Sequence, residues 1–153
     1  MGFIYNPLVI AFGIGVCKYS ENKLFLKVTG ILLSIWGLLG YVWFFFPMNM
    51  RGQIVNSVTN TMYLVLAEIT VPLMIVFIAI GSGAKGKCFR IYSILTIIAT
   101  LVCGAIVGSQ ASRVAAQLPT PWMGILERVS VYAPMIWVAM LAMVLLKYEK
   151  KTK

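Results

Sequence analysis

No histidine occurs among the 153 residues, and only four residues are acidic. Without an imidazole, serine–histidine and cysteine–histidine nucleophilic pairs and histidine-ligated metal sites are excluded. Cysteine is scarce as well. Cys17, Cys88 and Cys103 stand far apart, so no pair has metal-ligand spacing, and three thiols make no disulfide framework. They read as small packing residues, and no cofactor is expected. The N-terminal stretch lacks a basic n-region and an Ala-x-Ala site, so it does not read as a cleaved signal peptide.

Apolar sequence is what the chain has in excess. The apolar fraction is 61%, against about 45–50% in soluble domains. Four stretches are long enough to cross a bilayer, which takes about 20 residues. They are Val28–Pro47, Gly52–Ala84 (interrupted only by Glu68), Ile91–Ser112 and Val129–Leu146. A fifth, Met1–Cys17, is shorter. The expected fold is an all-α polytopic transmembrane bundle of about five spans, one domain over residues 1–146 with a basic tail at 147–153. No length remains for a soluble domain.

The thirteen basic residues divide unevenly between the two sides that such spans define. Lys18, Lys23 and Lys27 follow the first span, Lys85, Lys87 and Arg90 the third, and Lys147, Lys150, Lys151 and Lys153 end the chain. The opposite side holds only Arg51, Arg113 and Arg128. Cytoplasmic loops retain Lys and Arg during insertion, so the C-terminus is expected inside, and the N-terminus outside if all five spans form. The net charge of +9 then needs no nucleic acid to explain it. It orients the chain and meets anionic headgroups at the cytoplasmic face.

Within the spans, Asn6-Pro7 places a proline where the first helix can start. The second is expected over Leu24–Phe46, ending in an aromatic cluster at the outer interface, and the third over Ser57–Gly81. The fourth, Phe89 to Gln117, carries Thr100, Gly104, Gly108 and Ser112 at four-residue intervals. That spacing predicts a small-residue ridge where a neighbouring helix packs closely. The fifth starts near Gly124 and contains Pro134.

Glu68 is the one carboxylate away from a membrane edge. An acidic residue at a helix centre costs about 2.5–3.5 kcal/mol to insert, so a neutral residue would be easier to accommodate there. Asn60 and Thr61 lie about two turns nearer the outside, giving a polar stripe down to Glu68. Pro72 cannot donate to the Glu68 carbonyl, which leaves a free acceptor and an expected kink. Two readings follow: an ion, proton or substrate position, or a protonated acid bonded to another helix or to the freed carbonyl. A second cluster is expected at the outer mouth, from Asn49, Arg51, Asn60, Tyr63, Arg113, Trp122, Glu127 and Arg128. Its arginines could hold an anionic group with Glu127 orienting one of them. Alternatively Glu127 pairs with an arginine and closes the bundle top.

Several segments together resemble the bacterial integral-membrane family called domain of unknown function 998. They are Tyr5-Asn-Pro-Leu8 with Ala11–Gly15, Phe46-Pro-Met-Asn-Met-Arg-Gly52, Thr59-Asn-Thr-Met-Tyr63, Phe89–Ser93 and Leu118-Pro-Thr-Pro-Trp-Met-Gly-Ile-Leu-Glu-Arg128. They cover nearly the whole chain, and the last is the most specific. The resemblance implies a bacterial plasma-membrane protein but no activity. Family members often have Asp and His where this chain has Asn60 and Tyr63, so a proton or metal role there is not carried over. Members also commonly have a further N-terminal helix, so this chain reads as truncated or divergent.

Three functions compete at this point. The first is a non-enzymatic protein, structural or binding lipid or a partner, with a homo-oligomer one of the assemblies it could form. The second is a small-solute or proton-linked transporter using Glu68, although no inverted repeat is visible and five spans make a thin wall without oligomerisation. The third is a membrane enzyme acting on lipid headgroups, for which no nucleophile–base pair is visible. The balance leans away from an enzyme.

Overall fold

Long uninterrupted apolar runs without water-facing polar periodicity can satisfy their backbone only internally, and in this chain they do so as helices. The computed structural model describes residues 2–20, 23–46, 57–84, 86–110, 113 and 118–152, without the side chains of 2, 57, 60, 64 and 148–152. Among the described residues these helices follow in order: α1 Gly2–Tyr19, α2 Leu24–Val42, α3 Ser57–Gly81, α4 Lys87–Ser109 and α5 Met123–Thr152. No strand occurs among the described residues. The last four helices are long and apolar enough to cross a membrane, and α1 is a shorter apolar helix. Ile91, Ile94, Leu95, Ile98, Leu101 and Val102 of α4 are all exposed, a continuous apolar face that lipid, not water, accommodates. The chain is a multi-pass membrane protein.

Contacts divide it into two units, Met1–Gly81 and Ser82–Lys153. In the first, a short turn makes α1 and α2 neighbours. Ser20 Oγ donates to the Cys17 carbonyl at 2.9 Å, and Lys23 N–H to the Ser20 carbonyl at 2.9 Å. Their seam is built from glycine. A Cβ on Gly13 would meet Ser34 Oγ and the Gly30 carbonyl, and one on Gly40 would lie 2.6 Å from the Asn6 amide oxygen. Asn6 itself is buried. The α3 helix joins through aromatic contacts: Trp36 stands 5.5 Å from Phe77, and Trp43 meets Tyr63 edge-on at 4.8 Å.

Pro7 lies inside α1, not at its start. It is the sixth helical residue, so the bond its missing N–H forfeits is to the first-turn carbonyl of Phe3, and the helix extends past it. α2 closes at Val42, earlier than Phe46, with Trp43–Phe45 in a turn.

The second unit pairs α4 with α5. Phe89, Ser93, Thr96 and Thr100 of α4 are buried, as are Pro134, Trp137, Val138, Leu141 and Leu145 of α5. The α4 residues follow alternating four- and three-residue steps, the spacing of a lengthwise helix seam. Within this unit the expected ridge is not the packed seam: among the described residues nothing lies within 4 Å of a Cβ built on Gly104 or Gly108, and Ser112 is outside them. A strict four-residue step advances about 40° around the helix each time. Gly104 and Gly108 therefore rotate away from the seam that Thr100 still occupies. The helix also ends at Ser109, short of Gln117, although residues 111–112 and 114–117 are not described. At the other end α5 runs on through the basic residues to Thr152.

Candidate functional site

The α5 helix is apolar around most of its circumference, and packing uses only half of it. Pro134, Trp137, Val138, Leu141 and Leu145 share the face turned to α4. At 100° per residue the opposite face carries Ile125, Arg128, Val129, Tyr132, Ala133 and Ile136. These six line an open groove of about 400 Å³. Its walls are apolar apart from the Arg128 guanidinium and the Tyr132 hydroxyl.

Helix entry sets where this face begins. Ile125 and Leu126 N–H both donate to the Trp122 carbonyl at 3.0 Å. Trp122 makes that turn at φ 72°, in the left-handed region that bulky side chains seldom adopt. Its ring is 72% exposed, placing an aromatic side chain at the end of the helix nearest Arg128, as at membrane interfaces.

Arg128 is exposed and Glu127 half-buried. Neither forms an ion pair or side-chain hydrogen bond among the described residues; the Glu127 backbone carbonyl accepts from Ser130 Oγ at 2.8 Å. Consecutive helix positions point about 100° apart, so the two charges diverge. Arg113 is exposed, with its carbonyl accepting from Leu118 N–H at 2.9 Å. Asn49 and Arg51 lie outside the described residues.

The α3 residues separate by face. Glu68 and Thr61 are exposed, on the side of the helix opposite Leu66, Thr70, Met74, Phe77 and Ile78, which are buried. Val65, Ile69, Pro72 and Val76 surround Glu68 on this face, all exposed. Tyr63 turns the other way, to Trp43. The side chain of Asn60 is not described. Glu68 makes no hydrogen bond or ion pair among the described residues.

The groove residues Ile125, Val129, Tyr132 and Ile136 were not singled out by sequence. The available signal was the helical spacing of Tyr132 from Arg128, one turn apart. Among the described residues no group of three metal-binding side chains comes together. Three buried polar atoms, Tyr5 Oη, Thr100 Oγ1 and Gln110 Oε1, have no hydrogen-bond partner among the described residues. Comparison with family models, with curated proteins and with solved structures returns no match.

Proposed function

We propose that this chain is a non-enzymatic binding protein of a bacterial plasma membrane. On this reading its α5 groove takes an anionic group carried on an apolar body. The observation that supports it is an arginine with no partner among the described residues, set over an otherwise apolar, open groove. A guanidinium at a membrane edge offers a planar, forked set of donors suited to phosphate or carboxylate. Ile125, Val129 and Ile136 supply apolar contact for the rest of the ligand, and the Tyr132 hydroxyl a second donor.

The uneven distribution of Lys and Arg supports a cytoplasmic C-terminus. With that orientation Arg128 lies toward the outer leaflet, in an otherwise base-poor set of loops. The segments ending in Leu118–Arg128 support membership of the domain of unknown function 998 family, which the same residues supply. Among the described side chains of α5 none pairs a nucleophile with a base, so binding is favoured over headgroup chemistry.

Native mass spectrometry of the purified chain tests the reading. The parent should retain phosphatidylglycerol in preference to phosphatidylcholine, and Arg128→Ala should lose that preference while folding normally. Equal retention of both lipids by the parent would sink it.

A further inference from the structure

Pro134 is fully buried on the face of α5 that meets α4. It has no N–H to give the Ser130 carbonyl, and its ring crowds that carbonyl from the next turn. A helix relieves such crowding by bending away from the proline side. The convex side of this bend faces α4. The concave side is the opposite face, which holds the groove from Ile125 to Ile136. Burial along the pair changes at the same level. Inward of it, Trp137, Leu141 and Leu145 of α5 and Phe89, Ser93 and Thr96 of α4 are buried. Outward of it, Met123, Leu126, Glu127 and Ser130 are only half-buried, as are Cys103 and Val107 of α4. The Ser93–Trp137 hydrogen bond sets the register of the two helices. Consecutive membrane spans run in opposite senses, so two turns outward from that bond Thr100 stands level with Ser130. Thr100 is 1% exposed, yet its hydroxyl has no hydrogen-bond partner among the described residues.

We propose that Pro134 bends α5 so that its outer arm, residues 123–133, stands off from α4 and curves around the groove. Pro134 is thus a positioning residue. It faces away from the groove, and it sets the angle between Arg128 and Tyr132 on the arm and Ile136 beyond the bend. The same tilt carries Ser130 out of reach of Thr100, which accounts for a buried hydroxyl left unpaired. A straight α5 flattens the groove and brings Ser130 back to Thr100. This rests on the groove reading above and names the residue that shapes the site.

Pro134→Ala in the full chain tests it, because alanine supplies the missing N–H and favours a straight helix. Spin labels on Ser109→Cys and Gly124→Cys, both exposed positions, report the gap between the outer ends of α4 and α5. Cys17, Cys88 and Cys103 are replaced by serine in this chain. Gly124 lies about 15 Å along the helix from Pro134, so removing a bend of about 20° should close the gap by about 5 Å in bilayers. An unchanged gap overturns the inference. In the same variant the preference for phosphatidylglycerol over phosphatidylcholine should fall several-fold, although every groove residue remains. A shorter gap with the parent's lipid preference intact overturns the shaping role. A parent without any lipid preference sinks the groove reading alone, and the gap still decides the bend. Thr100→Val gives an independent readout. In the parent it removes an unpaired hydroxyl and should leave stability unchanged. In the Pro134→Ala chain it removes a bond to Ser130 and should shift the unfolding equilibrium about threefold. Equal effects in both chains overturn the inference too.

Discussion

Trp137 donates its indole N–H to the Ser93 hydroxyl at 2.8 Å, across 44 residues of chain, with both side chains fully buried. The Ser93 hydroxyl in turn donates a hydrogen bond to the Phe89 carbonyl at 2.8 Å, and the Phe89 ring lies 5.6 Å from Trp137. One serine thus ties the start of α4 to the middle of α5. That contact holds the buried face of α5 inward and leaves the groove face outward.

Ser93→Ala should destabilise the second unit by about 1–2 kcal/mol, since it removes the acceptor of a buried N–H. Ser109→Ala, at an exposed position whose hydroxyl bonds only to the Ile106 carbonyl nearby, should be near neutral. Unfolding titrations in mixed micelles compare them. Equal effects would mean the Ser93–Trp137 bond contributes nothing specific.

The glycine seam gives the second prediction. A Cβ on Gly30 would meet the Gly13 carbonyl and Cys17, so Gly30→Ala should cost about 1–3 kcal/mol through overpacking. Gly108→Leu meets open space and should leave the monomer's stability unchanged. If Gly108→Leu is the more damaging of the two in thermal melts, the close-packed interface has been placed on the wrong helix.

Trp122 supplies a third. At φ 72° a β-branched side chain is strongly disfavoured, and glycine is not. Trp122→Val should lower stability by about 1–2 kcal/mol relative to Trp122→Gly. Trp122→Val and Trp122→Gly of equal stability would show that the turn does not hold that conformation.

Orientation is checked by impermeant thiol reagents in intact cells, using a background without native cysteine. Cysteines at Asn49 and Gln117 should label from outside, and those at Ser82 and Thr152 only after permeabilisation. Labelling of Thr152 in intact cells would reverse the assignment.

The helices were legible because a run of apolar residues long enough to span is unambiguous. The bounds of α3 coincide with the reading, since Ser57 opens it and Gly81-Ser-Gly83 closes it. What sequence could not assign was which face of a helix meets protein. Along α5 both faces are apolar, so hydrophobic periodicity does not separate the Trp137 side from the Arg128 side. The seam of α4 with α5 takes only the first member of the expected ridge for a related reason: Thr100 and Gly108 look alike in spacing, yet about 80° separates them around the helix. Of the expected outer-mouth cluster, Tyr63 turns to Trp43 and Glu127 diverges from Arg128. Side-chain direction, not proximity in sequence, decides both.

The central claim is that Arg128 makes the α5 groove selective for an anionic apolar ligand, and photocrosslinking reads this most directly. The chain is reconstituted at high lipid-to-protein ratio with diazirine-bearing phosphatidylglycerol or phosphatidylcholine, and adducts on residues 125–136 are mapped by mass spectrometry. Phosphatidylglycerol should label this segment several-fold more than phosphatidylcholine, and Arg128→Ala should bring the two to parity. Equal labelling by both lipids in the parent, or a preference that survives Arg128→Ala, would contradict the account.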